Sequence, residues 1–202
     1  MKISRLHFTL CNSMQLPATF YKLFFMAVLQ TIRNLFAPEQ EKEPKIVVPA
    51  PSCVYEIRSL TDRHQAEVMR LNLRCFKNGE NYTKHTFAYL LGDPKTLSYR
   101  IINPNGEMIG FIFVTMSENA SGHLTTIGVA PEHRRRGLAE KLLTHGEEAL
   151  RRRDINTIML EVRVSNTAAQ DLYRGFGYSI VQRVTNYYNN GEDCFLMVKP
   201  LF

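Results

Sequence analysis

The stretch VAPEHRRRGLAEKLL, residues 129–143, places three consecutive arginines directly before a glycine and a helical pattern. Adjacent like charges repel one another, so an anionic ligand would explain them, whereas a solvated, basic helix start is the alternative. The first turn of a helix leaves several N–H groups without partners and forms the positive end of the helix dipole. Gly137 allows a ligand to approach the backbone closely. The stretch therefore predicts an anion site that suits a diphosphate.

The sequence around this stretch predicts a strand, a turn and a helix. GHLTTIGVA, residues 122–130, is typical of a strand, and the helix is expected to run to about Arg153. The apolar positions of the helix share one face, which is expected to pack on a sheet: Leu138, Leu142, Gly146, Ala149 and Leu150. Glu147 pairs with Arg151 on the opposite face, one turn apart. The common phosphate loops GxxxxGK(S/T) and GxGxxG after a strand are both absent.

The rest of the domain alternates short strands with helices. Predicted strands cover residues 54–60, 97–103, 107–117, 157–165, 178–187 and 193–199, and predicted helices cover 62–76, 83–91 and 166–174. Asp62 is expected to cap the first helix, whose apolar positions are Val68, Met69, Leu71 and Leu73. Pro104-Asn105-Gly106 is a turn signal that joins two of the strands into a hairpin. These elements predict an α/β domain with a mixed, mostly antiparallel sheet flanked by helices.

Composition divides the chain into three parts. Residues 1–38 form a basic, apolar extension, residues 39–53 form a proline-containing linker, and residues 54–202 form the folded domain. Within the extension, Lys22, Gln30 and Arg33 interrupt the apolar stretch 18–36, so that no run is long enough to span a bilayer. Three interpretations of this stretch stay open. It is a helix lying weakly on a membrane surface, a targeting segment, or a dispensable appendage that depends on the start site.

Charge and cysteine usage exclude some classes of function. The extension holds four of the 25 basic residues and no acid, which leaves 21 basic against 19 acidic residues elsewhere. This nearly neutral body disfavours direct nucleic-acid binding. The four cysteines form no CxxC pair, and the six histidines lack metal-ligand spacing. We therefore expect free thiols in a reducing compartment, the cytoplasm, and no metal.

Two motifs resemble the GNAT N-acetyltransferase family. Arg134-x-x-Gly137-x-Ala139 is similar to the family's acetyl-CoA pyrophosphate loop, and LEVRVSNTAAQDLYRGFGY, residues 160–178, resembles its later motif. The resemblance covers residues 54–202 and implies the GNAT (acyl-CoA N-acyltransferase) fold, in which two strands splay apart around the pantetheine arm of acetyl-CoA. The implied cofactor contacts come from the backbones of Ile127, Gly128 and Val129, from Arg134, Arg135, Arg136, Gly137, Leu138, Ala139 and Glu140, and from Asn166. Asn166 also suits a plain helix N-cap.

Acetyl transfer to an amine needs a base for the ammonium proton, polarisation of the thioester carbonyl, and an acid for the departing thiolate. Glu161 is the candidate base. It lies in TIMLEVRVS, residues 157–165, whose alternation turns it away from the apolar face, and an unpaired carboxylate in such a strand is costly to bury. A salt bridge to Arg163 or to a neighbouring strand is the alternative. Tyr173 is the candidate acid, with a core tyrosine packing against Phe176 as its alternative.

Within the family, the LEVR and LY motifs are most similar to the RimI branch, which acetylates the N-terminal alanine of a small-subunit ribosomal protein. That similarity implies that Glu161 accepts a proton and that Tyr173 donates one. NYYNNGEDCFLM, residues 186–197, resembles both RimI and the Ard1-type N-terminal acetyltransferases, and implies that Tyr187 and Tyr188 line a peptide groove.

GENYT, residues 79–83, resembles the Ard1 branch and implies substrate contacts for Glu80 and Tyr82, although Gly79 stands where that branch has proline. The expected function is acetyl-CoA-dependent acetylation of the N-terminal α-amine of a protein, with a ribosomal protein as a candidate partner. The alternatives are an acetyltransferase for lysine side chains or small amines, and a non-catalytic acyl-CoA-binding module.

Overall fold

The computed structural model describes residues 47–76 and 81–202. Val47–Phe202 forms one compact unit. The predicted extension, residues 1–38, lies outside the described residues, as do residues 39–46 of the predicted linker and Glu80. Within the described part of the chain, no helix has both the length and the apolar character that crossing a bilayer requires.

The described elements follow the predicted order, with their ends shifted by a few residues. The strands are β1 (Glu56–Ser59), β2 (Thr96–Ile102), β3 (Met108–Met116), β4 (Ser121–Val129), β5 (Thr157–Arg163), β6 (Ser179–Val184) and β7 (Cys194–Pro200). The helices are α1 (Gln65–Cys75), α2 (Lys84–Gly92), α3 (Leu138–Arg151) and α4 (Thr167–Gly175). Short 3-10 turns, Asp62–His64 and Pro131–His133, precede α1 and the loop before α3.

The seven strands form one sheet in the order β1-β2-β3-β4-β5-β7-β6. Every neighbouring pair is antiparallel except β4 and β5, which run parallel because α3 crosses between them. This mixed, mostly antiparallel sheet with flanking helices confirms the predicted fold class. Helix α3 approaches the sheet closely at two glycines. A Cβ on Gly146 would lie 3.2 Å from Ile112 Cδ1, and one on Gly122 would lie 2.8 Å from Leu150 Cδ1.

Three local predictions were wrong. Leu73 is 59% exposed, because α1 turns that position away from the sheet. Thr61, rather than Asp62, begins the first helical turn, since its N–H donates to His64 Nδ1 at 3.1 Å. Glu147 is buried rather than solvent-facing, because Lys199 of β7 lies across from it and supplies a positive partner.

Candidate active site

The site begins where β4 and β5 part. The two strands pair only at Ser121–His123 with Thr157–Met159, although β4 continues to Val129 and β5 to Arg163. Beyond that point, the facing edges of these two strands carry backbone groups that do not pair with each other, and such groups need a partner. The predicted cofactor contacts Ile127, Gly128 and Val129 lie along this opened edge of β4. An extended ligand with amide groups fits the gap.

A β-bulge explains why the strands separate here. The β3–β4 register shifts between Phe113 and Val114, whose partners are Thr126 and Leu124, so Thr125 is the extra residue of β4. A bulge bends its strand and increases its twist, and it often re-aims residues beside a functional site. Thr125 comes two residues after His123, the last residue of β4 that pairs with β5. The bulge therefore lies where β4 and β5 separate. Its carbonyl oxygen accepts a hydrogen bond from the Tyr82 hydroxyl at 3.0 Å.

The loop before α3 presents a row of backbone donors. The first helical hydrogen bond runs from Lys141 N–H to Gly137 O at 2.9 Å. Among the described residues, no hydrogen bond is made by the six backbone N–H groups from Arg135 to Glu140. Arg135 and Gly137 both adopt left-handed backbone, with φ of 61° and 69°. Unpaired donors at the positive end of a 14-residue helix suit a phosphate group, as the sequence predicts for this loop.

The three arginines of this loop do not share one role. Arg134 donates through Nε to Val129 O and through Nη2 to Cys75 O, both at 3.1 Å. Arg136 donates to three oxygens of the preceding segment, which belong to Ala50, Pro51 and Tyr55. Arg135 is exposed, and its side chain makes no hydrogen bond to another described residue. Of the three arginines, Arg135 alone makes no side-chain hydrogen bond to another described residue.

Asn166 caps α4. Its Oδ1 accepts a hydrogen bond from the Ala169 N–H at 3.1 Å, which satisfies one of the free donors of the first turn. Asn166 therefore acts as the helix N-cap that its residue type suggested, and its contact with the cofactor stays a prediction.

Glu161 meets a partner that the sequence interpretation did not identify. Its side chain is 22% exposed on the face of β5 opposite Ile158, Leu160 and Val162, and its Oε2 lies 2.7 Å from His123 Nε2. The hydrogen bond with His123 lowers the pKa of the carboxyl against the opposing effect of burial, so Glu161 is ionised near neutral pH. Arg163 pairs with Glu192 instead.

His123 lies where β4 and β5 separate, because the parallel register places it opposite Met159, two residues before Glu161. The alternation of GHLTTIGV shows that His123 and the buried Leu124 lie on opposite faces of β4. The sequence alone does not show that this face adjoins Glu161, since that depends on which strands are neighbours and in what register.

Tyr173 is buried in α4, with 7% of its surface exposed. Burial raises the pKa of its hydroxyl above the ordinary range of tyrosine, so the group stays protonated near neutral pH. Its ring contacts Tyr178, with 5.7 Å between the centroids, rather than stacking on Phe176. A protonated hydroxyl is the form that a general acid requires.

Of the predicted substrate contacts, Tyr82, Tyr187 and Tyr188 lie among the described residues, and the charge of Glu161 acts on each of them. Burial, the nearby Tyr187 and the charge of Glu161 together raise the pKa of Tyr82. Burial and Glu161 likewise raise the pKa of Tyr187, which is 48% exposed. The rings of Tyr187 and Tyr188 meet edge to face at 5.1 Å, and the guanidinium of Arg163 lies 3.7 Å from the centre of the Tyr188 ring. The charge of Glu161 thus acts on all three tyrosines.

Comparison with known proteins defines the class to which this fold and site belong. Residues 65–178 match the model of the Acetyltransferase (GNAT) family. The chain belongs to this family.

The relatives agree with this assignment. The chain is 33% identical over 150 residues to the N-terminal acetyltransferase A complex catalytic subunit NAA10 of Arabidopsis thaliana, covering 72% of this chain and 77% of that protein. The ribosomal-protein-S18-alanine N-acetyltransferase of Escherichia coli shares the fold with a TM-score of 0.67 and 29% identity, over 73% of this chain and 94% of the other. A structure of the NatC complex bound to Gag peptide and CoA aligns with a TM-score of 0.65 and 26% identity, over 73% and 99%.

The residues present fit acetyl-CoA as the acetyl donor. The six unpaired N–H groups and Arg135 suit the diphosphate, and the open edge of β4 suits the amide-bearing pantetheine arm. The described residues contain no cluster of three or more His, Cys, Asp or Glu side chains that could hold a metal ion.

Proposed function

We propose that the protein transfers the acetyl group of acetyl-CoA to the N-terminal α-amine of a protein. The observation that carries the proposal is the Glu161–His123 pair, which lies where β4 and β5 separate. The named activities of the NAA10 relative and of the ribosomal-protein-alanine enzyme support the same reaction. We further propose that the acceptor begins with alanine and is a ribosomal protein, as the name of the second neighbour states for that enzyme.

In the proposed reaction, Glu161 accepts one proton from the substrate ammonium, either directly or through a water molecule. His123 holds the carboxylate in place through their hydrogen bond. The free amine then attacks the thioester carbonyl, and a C–N bond forms. As the C–S bond breaks, the nitrogen gives up its second proton to solvent, and Glu161 releases the first one there as well. The Tyr173 hydroxyl donates its proton to the departing thiolate and regains one from solvent.

The strength of the base favours an α-amine over a lysine as acceptor. A carboxylate whose pKa is lowered is a weak base. An α-amine has a pKa near 7.7–8.0 and a lysine near 10.4, so deprotonating the α-amine costs roughly 3.5 kcal/mol less. Glu161 can therefore assist an N-terminus more readily than a lysine side chain.

The proposal is tested with the full chain, acetyl-CoA and short peptides. The peptides have free or blocked N-termini, some carry an internal lysine, and mass spectrometry locates the added acetyl group. We expect transfer only to free α-amines, best when the first residue is alanine. Transfer to lysines or to polyamines would overturn the substrate class, and acetyl-CoA binding without any transfer would favour the non-catalytic module.

Variants connect the activity to the site. We expect Glu161→Gln and Tyr173→Phe each to lower kcat by about 10²- to 10⁴-fold, the usual range for general acid–base groups. His123→Ala should lower kcat by about tenfold, since it removes one hydrogen bond to a carboxylate. Glu148→Gln is the matched control, because Glu148 is an exposed carboxylate on α3 that pairs only with Arg152 among the described residues. Wild-type rates in Glu161→Gln would refute the assignment.

We also propose that the protein acts in the cytoplasm. Of its four cysteines, Cys53, Cys75 and Cys194 are free thiols, as a reducing compartment predicts, and Cys11 lies outside the described residues. Localisation of the tagged full chain by microscopy tests this, and accumulation at a membrane would instead implicate the stretch 18–36.

A further inference from the structure

The loop before α3 holds a conformation that it would not adopt unaided. Arg135 has a φ of 61°, and for a residue with a side chain the left-handed region is sterically disfavoured. The next left-handed residue is Gly137, so Arg136 lies between two unusual turns of the backbone. Such conformations persist when the surrounding structure determines them. Here, the hydrogen bonds of Arg134 and Arg136 hold the loop in this conformation.

Arg136 anchors one side of the loop to residues 50–55, which we call the strap. Its Nη1 donates to Pro51 O at 2.9 Å and to the Tyr55 hydroxyl at 2.8 Å, and its Nη2 donates to Ala50 O. A guanidinium with donors committed to three oxygens is held in position and orientation. On the other side, Arg134 anchors the loop to the end of β4 and to the end of α1.

The strap is also fastened to the 3-10 turn that leads into the loop. The Ala50 N–H donates to Glu132 O at 3.0 Å. The Tyr55 hydroxyl lies 2.8 Å from His133 Nδ1, and the two rings meet edge to face at 5.7 Å. His133 is buried, with 6% of its surface exposed. Tyr55 therefore links the strap, the turn and Arg136 through a single hydroxyl.

We propose that the strap is part of the acetyl-CoA site, with Tyr55 and Arg136 as positioning residues that hold the loop so that its unpaired N–H groups face the diphosphate. The proposal rests on acetyl-CoA being the donor in the proposed function. It assigns a role to residues that the sequence interpretation placed partly in the linker. It also gives Arg134 and Arg136 a structural role and leaves Arg135, which is exposed, available to the ligand.

The experiment measures acetyl-CoA and CoA binding by calorimetry on the full chain, alongside KM for each substrate and Tm. We expect Tyr55→Phe to weaken CoA binding by roughly tenfold or more, because a hydrogen bond to a charged group is lost. The KM for peptide should stay within about twofold, because the peptide groove lies at Glu161. Tyr89→Phe is the matched control, since Tyr89 is 69% exposed on α2.

A double-mutant cycle separates positioning from a general loss of stability. If Tyr55 and Arg136 act through their shared hydrogen bond, the combined variant Tyr55→Phe with Arg136→Met should lose less affinity than the sum of the single changes. Arg136→Lys keeps the charge but lacks the planar set of donors of a guanidinium, so CoA binding by this variant should remain weakened. Wild-type affinity in Tyr55→Phe would overturn the proposal. Tighter binding would overturn it as well, since it would show that the strap competes with the cofactor for Arg136.

The two proposals can fail separately. If CoA binding depends on the strap but the protein acetylates nothing, the proposal about the strap is supported and the proposed function is wrong. Transfer that depends on Glu161 but not on Tyr55 would do the opposite. No CoA binding by the full chain would overturn both.

Discussion

The buried carboxylate of Glu147 makes a prediction whose size follows from the structure. Its side chain is 4% exposed, and its Oε2 lies 2.6 Å from Lys199 Nζ and 3.5 Å from Arg151 Nη2. The Lys199 side chain is 15% exposed, so neither charge of the closer pair is well solvated. Glu147→Gln keeps the shape but leaves Lys199 without its counter-charge. Breaking a buried pair in this way costs about 3–5 kcal/mol.

This loss converts into a measurable change in melting temperature. For a domain of this size, each kcal/mol shifts Tm by about 2–4 °C, so Glu147→Gln should lower Tm by roughly 6–20 °C. The matched control is Glu148→Gln on the next residue of α3. Its pair with Arg152 spans 3.8 Å, and both side chains are more than half exposed. An exposed pair of this kind contributes about 0–1 kcal/mol, so Tm should move by only a few degrees.

Replacing both partners completes the test. The variant Glu147→Leu with Lys199→Met removes the two charges together and fills similar volume, which is often neutral or stabilising. We expect its Tm to recover most of the loss seen in the single variant, as measured by calorimetry or circular dichroism. The reasoning would be refuted by equal Tm values for Glu147→Gln and Glu148→Gln, or by a double variant less stable than the single one.

Other predictions concern the loop between β6 and β7 and a thiol beside the cofactor loop. Arg163→Met removes the cation over the Tyr188 ring and the partner of Glu192. It should raise the KM for peptide by about tenfold and leave CoA affinity unchanged, which steady-state kinetics would show. Hydrogen bonds from the side chain and the N–H of Ser165, together with Arg163, lower the pKa of Glu192 to about 2. The stability that Glu192 contributes is therefore complete above its unfolded pKa and is lost as the pH falls from that value to about 2. Tm should therefore fall less steeply in acid for Glu192→Gln than for wild type, and parallel curves would contradict this. Burial raises the pKa of Cys75 to about 11, so iodoacetamide should modify it slowly at neutral pH until the protein is unfolded, as peptide mass spectrometry would show.

Much of the fold was accessible from local pattern. The strand before the arginine triplet, the amphipathic helix after it and the alternation around Glu161 predicted β4, α3 and β5 within a few residues. The errors arose where a distant part of the chain supplied the partner. Helical spacing placed Glu147 with Arg151 on the solvent side, and only the position of β7 shows that Lys199 draws it inward.

The sequence by itself determined the family, the predicted anion-binding turn and the candidates Glu161 and Tyr173, because these depend on residue type and short spacing. The tertiary structure decided which groups these residues meet. It paired Glu161 with His123 through the register of two parallel strands, and it divided the arginine triplet between Val129 and Cys75 on one side and the strap on the other. Hydrogen bonds between residues far apart in the chain depend on strand order and crossing geometry, which no local spacing encodes.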